Sequence, residues 1–147
     1  MAGLFDFANA KENVDLMTFD TDAGRANRIW QLLASYADLV QRRKALEAWA
    51  GLHAGFMGRA PDHVASCISG LYMGLDVFKA YDPARAGALE SYYRYARDKD
   101  LYLTYVVINP QADRSKGVAE QADPFLTAGV VDRDAEGITI RGARPQS

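Results

Sequence analysis

The spacing of apolar residues changes once along this chain, and that change limits the folds available to it. From about residue 36 to residue 99, apolar side chains recur every three or four positions, which predicts a series of helices. From Leu101 to Ile108, eight successive residues are almost all apolar or β-branched, which is typical of a strand buried on both faces. Helices come first and strands last, an order that predicts an α+β fold.

Glycine and proline residues divide the helical part into predicted helices over 36–57, 61–81 and 83–99. Gly58 ends the first, and a proline begins each of the other two. Before them, residues 1–24 are mixed in polarity and predict an irregular lead-in, and 25–33 are compatible with a short helix.

After the predicted strand and a polar loop, residues 125–131 and 138–141 predict a β-hairpin around a polar turn. The resulting domain prediction is a helical domain over 1–100 and the start of a β domain over 101–147. So few strands would leave unpaired edges. We therefore expect the chain to stop inside a β domain, as part of a longer, truncated protein.

Composition and charge restrict the classes of function. A net charge of −2 argues against a binder of nucleic acid or of an anionic membrane, since such proteins concentrate positive charge. No apolar run approaches the roughly 20 residues that cross a bilayer, and the first residues lack the pattern of a secretion signal. These features predict a cytoplasmic protein with small-molecule or protein partners. The single cysteine, Cys67, lies among apolar residues and predicts a buried, inert thiol.

Two residues at the predicted start of the second helix are candidates for ligand binding. Arg59 and His63 stand four apart, which places them on one face of the first helical turn. A guanidinium and an imidazole there can hold a phenolate or carboxylate through charge-assisted hydrogen bonds. The alternative is that Arg59 pairs with a nearby acid and His63 is a surface residue. His53, on the apolar face of the preceding helix, is interpreted as a satisfied packing residue.

The loop after Ile108 and the strand before it carry further candidates. Arg114 and Lys116 can meet the phosphates of a nucleotide cofactor, but loops of this composition are also common as solvated turns. Tyr105, inside the apolar run, is expected to place its hydroxyl at a polar pocket or a buried acceptor. The sequence has no glycine-rich phosphate loop, no plausible Ser/His/Asp set and no paired metal-ligand histidines, so no metal site is predicted.

Four segments of the chain, from about Asp38 onward, resemble the 4-hydroxyphenylacetate 3-hydroxylase family. They are Phe56-Met57-Gly58-Arg59-Ala60-Pro61-Asp62-His63, Tyr92-Tyr93-Arg94-Tyr95-Ala96-Arg97-Asp98, Ile108-Asn109-Pro110-Gln111-Ala112-Asp113-Arg114-Ser115-Lys116 and Gly137-Ile138-Thr139-Ile140-Arg141-Gly142-Ala143-Arg144. The family comprises the oxygenase components of two-component flavin monooxygenases, with an acyl-CoA-dehydrogenase-like fold. The resemblance therefore implies reduced FAD from a separate flavin reductase, dioxygen as co-substrate, and hydroxylation of a phenol ortho to its hydroxyl group.

The resemblance also assigns roles to particular residues. The positions that contact the substrate in the family correspond to Arg59, His63 and Tyr105. The loop that contacts the flavin corresponds to Gln111, Ala112, Asp113 and Arg114. Many members carry tyrosine at the position of His63 and histidine at that of Tyr105, so the two residue types are exchanged here.

Three further expectations follow. Family members are longer and commonly homo-oligomeric, so we expect residues 1–147 alone to show little or no hydroxylation. A non-catalytic helical interaction remnant is the first alternative. A relative of the 4-hydroxybutyryl-CoA dehydratases is the second. That class holds an iron–sulfur cluster with several cysteines, and this chain has one.

Overall fold

The computed structural model describes residues 2–58, 60–106, 109–110, 112–135 and 137–144. The helices are α1 (Ala2–Asn9), α2 (Val14–Met17), α3 (Tyr36–His53), α4 (Asp62–Met73), α5 (Leu75–Tyr81) and α6 (Pro83–Asp98). The strands are β1 (Thr18–Thr21), β2 (Gly24–Asn27), β3 (Gly129–Arg133) and β4 (Ile138–Arg141). The chain forms two compact units, residues 1–103 and 104–147. No helix in the described part of the chain is long and apolar enough to cross a membrane.

The prediction of an irregular lead-in over residues 1–24 is wrong. This segment forms α1, α2 and the antiparallel β1–β2 hairpin, and it buries Leu4, Ala8 and Met17 in the core of the first unit. Its elements are too short for the spacing of apolar residues to reveal. Contacts distant in sequence fix the hairpin instead. At its turn, the Asp22 carboxylate pairs with Arg94 at 3.1 Å and Arg97 at 2.8 Å, both on α6.

Residues 25–33, whose sequence is compatible with a short helix, do not form an α-helix. Strand β2 continues to Asn27, and a single 3₁₀ turn follows over Arg28–Trp30. The reason is a buried guanidinium. Arg28 is 8% exposed and donates hydrogen bonds to the backbone carbonyl oxygens of Asp15, Leu16 and Thr18. These bonds satisfy carbonyl groups of α2 and β1, so they hold the chain extended where a helix was possible.

The predicted helix over 36–57 is confirmed as α3, although it ends four residues earlier. Ser35 begins it, because its hydroxyl accepts from the Asp38 N–H at 3.1 Å. Helix α6 is confirmed in the same way by Asp82, whose carboxylate accepts from two N–H groups of the first turn. Between them, Trp49 of α3 and Tyr93 of α6 are almost fully buried in one core with Trp30.

The predicted helix over 61–81 is two helices, because Gly74 breaks it between α4 and α5. The buried residues of α4 are small, Ala65 and Ser69, which lets the helix lie close to its neighbours. Cys67 lies on the other side and is exposed, so the prediction of a buried thiol is wrong.

The predicted strand over 101–108 is not formed in the described residues 101–106. Leu101 and Leu103 pack against the core of the first unit, whereas Tyr102 between them is exposed. No neighbouring strand in the described part of the chain offers hydrogen bonds to this segment, and a strand requires such a partner. Val107 and Ile108 lie outside the described residues.

The predicted C-terminal hairpin is confirmed as the antiparallel pair β3–β4, with an irregularity in register between Val130 and Asp132. All nine residues of these strands are exposed. The ladder ends at Gly142, whose φ of 117° is a backbone conformation that favours glycine. A Cβ there would lie 2.5 Å from the carbonyl oxygen of Thr127. Both the backbone conformation and the lack of space therefore require glycine.

Candidate functional site

A cleft of about 300 Å³ lies where α3 ends and α4 begins, within the first unit. Its walls come from the last two turns of α3, the connection to α4, and the first residues of α4. The lining residues that carry side-chain nitrogen or carboxylate groups are Trp49, His53, Asp62 and His63. Leu46, Ala50 and Met57 supply apolar surface. A concave site that combines apolar surface with polar side chains is compatible with small-molecule binding.

The connection between the helices places these side chains. Ala54 terminates α3 in the left-handed region with φ of 48°, Gly55 follows with φ of 80°, and Phe56 N–H bonds the His53 carbonyl at 2.8 Å. The predicted start of the next helix at Pro61 is confirmed, since α4 begins at Asp62. His63 therefore stands in the first turn of α4, as the sequence predicted, and it is exposed and lines the cleft. Arg59, its predicted companion, lies outside the described residues.

Two nitrogen atoms of the residues lining the cleft are buried without a hydrogen-bond partner in the described part of the chain. They are Nε1 of Trp49 and Nδ1 of His53. The two residues stand four apart on α3, so they share a helix face. The interpretation of His53 as a satisfied packing residue is therefore wrong. In the sequence, this pair could have been found from an indole and an imidazole spaced four residues apart, shortly before the predicted helix end at Gly58.

Arg42 joins α3 to the start of α4 beside the cleft. Its Nη2 donates to the Ile29 carbonyl at 3.0 Å and to Ser66 Oγ at 2.6 Å, and that hydroxyl donates to the Asp62 carbonyl. Burial lowers the pKa of Arg42, and the charge of Asp62 partly counteracts that effect. Arg42 is therefore half-buried, because the start of α4 covers it.

Tyr105, the third predicted substrate residue, lies in the second unit and is 39% exposed. Its segment belongs to neither a helix nor a strand. His63 and Tyr105 belong to different compact units, so their joint action stays a prediction.

The predicted flavin loop is ordered by a glutamine that sequence reasoning missed. Gln121 is 8% exposed, and its Nε2 donates to the carbonyl of Asp113 at 2.8 Å while its Oε1 accepts from the Asp113 N–H at 3.0 Å. The same Nε2 lies within 3.3 Å of the Lys116 and Gly117 carbonyls. No local pattern marks this residue, because its partners are four to eight positions away.

The polar side chains of this loop have different partners. The Asp113 carboxylate accepts from the Ser115 hydroxyl at 2.6 Å and its N–H at 2.9 Å, and these bonds lower the pKa of Asp113. Lys116 Nζ lies 3.7 Å from the same carboxylate. Arg114 is exposed and makes no ion pair with any residue the structure describes. Ala112 is exposed beside it, and Gln111 lies outside the described residues.

The loop therefore suits an anionic cofactor better than a metal. Arg114 offers a cation on a backbone that Gln121 holds in place, and this donor set fits the phosphate groups of a dinucleotide such as FAD. Across the described ranges, no group of three or more His, Cys, Asp or Glu side chains is arranged to hold a metal ion.

Comparison with known proteins gives a family match over nearly the whole chain. The family described as "4-hydroxyphenylacetate 3-hydroxylase N terminal" matches residues 1–146. The oxygenase component of 4-hydroxyphenylacetate 3-monooxygenase from Thermus thermophilus is 32% identical over 144 residues, which is 98% of this chain and 29% of that protein. The chain thus spans less than a third of the length of this relative.

Solved structures agree with this match. The oxygenase component of a 4-hydroxyphenylacetate 3-monooxygenase, complexed with FAD and 4-hydroxyphenylacetate, is similar with a TM-score of 0.79 and 31% identity, covering 97% of this chain and 29% of that one. An archaeal 4-hydroxybutyryl-CoA dehydratase from N. maritimus is similar with a TM-score of 0.67 and 23% identity, covering 97% of this chain and 28% of its own. At that identity the second likeness concerns the fold alone. Together they confirm the predicted α+β, acyl-CoA-dehydrogenase-like class.

Proposed function

We propose that this chain, which belongs to the 4-hydroxyphenylacetate 3-hydroxylase family, forms the N-terminal part of the oxygenase component of a FAD-dependent monooxygenase. Its reaction is the hydroxylation of a phenol ortho to the hydroxyl group. The observation that carries the proposal is the cleft at the α3–α4 connection, which lies directly beside the Gly58-to-His63 motif and combines apolar walls with titratable side chains. The similar Thermus thermophilus protein is an oxygenase component of 4-hydroxyphenylacetate 3-monooxygenase.

The phenol is held by Arg59, His63 and Tyr105 in this proposal. A phenol has a pKa near 10, so removing its proton at neutral pH needs a base and a cation to stabilise the resulting phenolate. His63, at the cleft edge, accepts the proton, and the Arg59 guanidinium stabilises the anion. Tyr105 supplies a hydroxyl that hydrogen-bonds the same oxygen, so the imidazole and the phenol common in the family are both kept.

The loop formed by Gln111, Ala112, Asp113 and Arg114 binds FAD in this proposal. Arg114 meets the anionic part of the cofactor, and Gln121 keeps the loop backbone in its binding conformation. When bound in reduced form, FAD supplies the electrons that activate dioxygen. A separate flavin reductase delivers the reduced cofactor.

A chimera with the Thermus thermophilus relative tests the function. Residues 1–146 replace the matching 29% of that protein, and the purified chimera receives reduced FAD, dioxygen and 4-hydroxyphenylacetate. We expect formation of the ortho-hydroxylated product, measured by chromatography and mass spectrometry. The isolated 147-residue chain is expected to give little or no product in the same assay.

Two variants of the chimera make the test specific. Arg59→Ala is expected to lower kcat/KM at least about 100-fold, as loss of a charge-stabilising donor does. Lys44→Ala, on the exposed side of α3, is the matched control and leaves the rate unchanged. A chimera that folds and binds FAD yet forms no product contradicts the proposal and favours a non-catalytic helical interaction module.

A further inference from the structure

We infer that His53 is a substrate-contacting residue of the cleft, where its Nδ1 donates a hydrogen bond to an acceptor oxygen on the side chain para to the phenolic hydroxyl. This inference rests on the proposed function, because it assigns a second polar contact to the same bound phenol. Neither the family motif nor the sequence pattern gives His53 such a role.

The first argument is the buried, unpartnered nitrogen. His53 Nδ1 has no hydrogen-bond partner among the described residues, although the side chain lines a cleft large enough for a small aromatic compound. Proteins leave few buried polar atoms unpaired, and an exception calls for an explanation such as a ligand. A bound acceptor at this position removes the unpaired state.

The second argument is Trp49, which repeats the observation one helical turn earlier. Trp49 is 1% exposed, lines the same cleft, and also keeps its Nε1 without a partner. An indole nitrogen only donates hydrogen bonds, so any group that satisfies it is an acceptor. The indole nitrogen therefore favours a ligand with an acceptor oxygen over one with a further apolar group, and the His53 Nδ1 donates to the same kind of group in its Nδ1–H tautomer.

The charges at the cleft are compatible with a neutral acceptor as well as with an anionic one. Asp62 lines the cleft and opposes an anion, but its charge interacts with that of Arg42 close by. The two charges offset each other, so a carbonyl and a carboxylate are both compatible. His63, which also lines the cleft, is assigned to the phenolic oxygen in the proposed function.

The test uses two neutral phenols of the same shape that differ in the acceptor. 4-Hydroxyphenylacetone carries a carbonyl where 4-isobutylphenol carries a CH–CH₃ group. Binding to the 147-residue chain is measured by NMR from its two indole N–H signals, those of Trp49 at the cleft and Trp30 in the core. The same spectra show whether each variant is folded.

Three variants separate the alternatives. His53→Phe removes both ring nitrogens and is expected to reduce the preference for 4-hydroxyphenylacetone about 10-fold, the usual effect of one hydrogen bond. His53→Asn, which returns an N–H near the position of Nδ1, is expected to restore most of it. Leu52→Phe, at a neighbouring exposed position outside the cleft, serves as the control and changes nothing.

The outcomes distinguish this inference from the proposed function. If both phenols bind and the ratio of their affinities stays within about twofold in His53→Phe, the inference is wrong and the function stands. Such a result assigns the unpaired nitrogen to an ordered water molecule. If neither phenol shifts the Trp49 signal in the wild-type chain, the inference is wrong, and the chimera assay decides the proposed function separately.

Discussion

The two β-hairpins of this chain are similar in size and opposite in environment. In β1–β2, Ala26 and Asn27 are buried, Phe19 packs against the core, and the turn residue Asp22 forms ion pairs with α6. In β3–β4, every strand residue is exposed, and the exposed fractions of the apolar ones are 60% for Ile140, 54% for Val130, 53% for Ile138 and 43% for Val131. The first hairpin is held by tertiary contacts. The second is held by its own ladder and cross-strand pairs.

The difference shows which hairpin is stabilised by packing, the first, and which one leaves apolar surface exposed, the second. Short hairpins are marginal in water unless something packs on them. The buried Arg28, with its three carbonyl acceptors, supplies that support for β1–β2. A strand pair with several exposed β-branched residues is typical of an interaction surface. The four predictions below test this contrast, from the largest expected effect to the smallest.

Replacing Arg28 with methionine is expected to lower the free energy of unfolding by about 3 kcal/mol, because it leaves several partly buried carbonyl groups without donors. Urea unfolding followed by tryptophan fluorescence measures the loss, since both tryptophans lie in the first unit. Arg43→Met is the control. Its ion pair with Glu47 is exposed at 76% and 57%, so the expected effect is at most about 0.5 kcal/mol. Equal effects of the two changes would refute the role given to Arg28.

Replacing Tyr93 with phenylalanine removes one buried hydrogen bond and leaves the ring packing in place. The Tyr93 hydroxyl donates to the Trp30 carbonyl at 2.7 Å, directly after the β1–β2 hairpin, and the ring stacks on Tyr72 at 4.3 Å. We expect a loss of about 1.5 kcal/mol, because the carbonyl is left unpaired. Tyr92→Phe, on the exposed side of the same helix, is the matched control and is expected to be neutral in the same urea titration.

Replacing Asp100 with asparagine is expected to stabilise the first unit by about 1 kcal/mol at neutral pH. Burial raises the pKa of Asp100 above its ordinary value of 3.8, while a hydrogen bond from Asn27 partly offsets this. Below pH 3.8 the Asp100 carboxyl is protonated in both the folded and the unfolded state, so its burial costs no stability. The cost appears as the pH rises above 3.8 and is complete above the raised folded-state pKa, where the buried group is charged. The variant's advantage should therefore appear above that pH and shrink below it. An advantage independent of pH would point to the left-handed backbone at φ 45°, which asparagine tolerates.

Replacing Ile140 with threonine is expected to change stability by less than about 0.5 kcal/mol, because the side chain is 60% exposed and threonine keeps the β-branched shape. Its cross-strand neighbour is Val130. Amide hydrogen exchange of the β3–β4 ladder, read by NMR, detects any loosening. Val131→Thr on the same hairpin is a companion variant. A loss above about 2 kcal/mol for either would show that these residues are packed in solution, contrary to the contrast drawn here.

The sequence was sufficient wherever a local signal decides the structure. Periodic apolar residues, with Gly58 and Pro83 as boundary signals, predicted α3 and α6 to within a few residues. The polar turn between two β-branched runs predicted β3–β4. The motif around Pro61 predicted the start of α4 with His63 in its first turn, and the resemblance carried by the same motif predicted the family.

Tertiary structure alone decided what depends on partners far along the chain. Residues 2–27 are ordered because Arg28, Arg94 and Arg97 bind their carbonyl and carboxylate groups, and no spacing within the segment reveals those partners. The apolar run at 101–106 is not a strand, because a strand needs a neighbour and composition supplies none. The unpaired nitrogen of His53 belongs to the same class: burial and hydrogen-bond satisfaction are properties of surroundings, so only the folded chain reveals them.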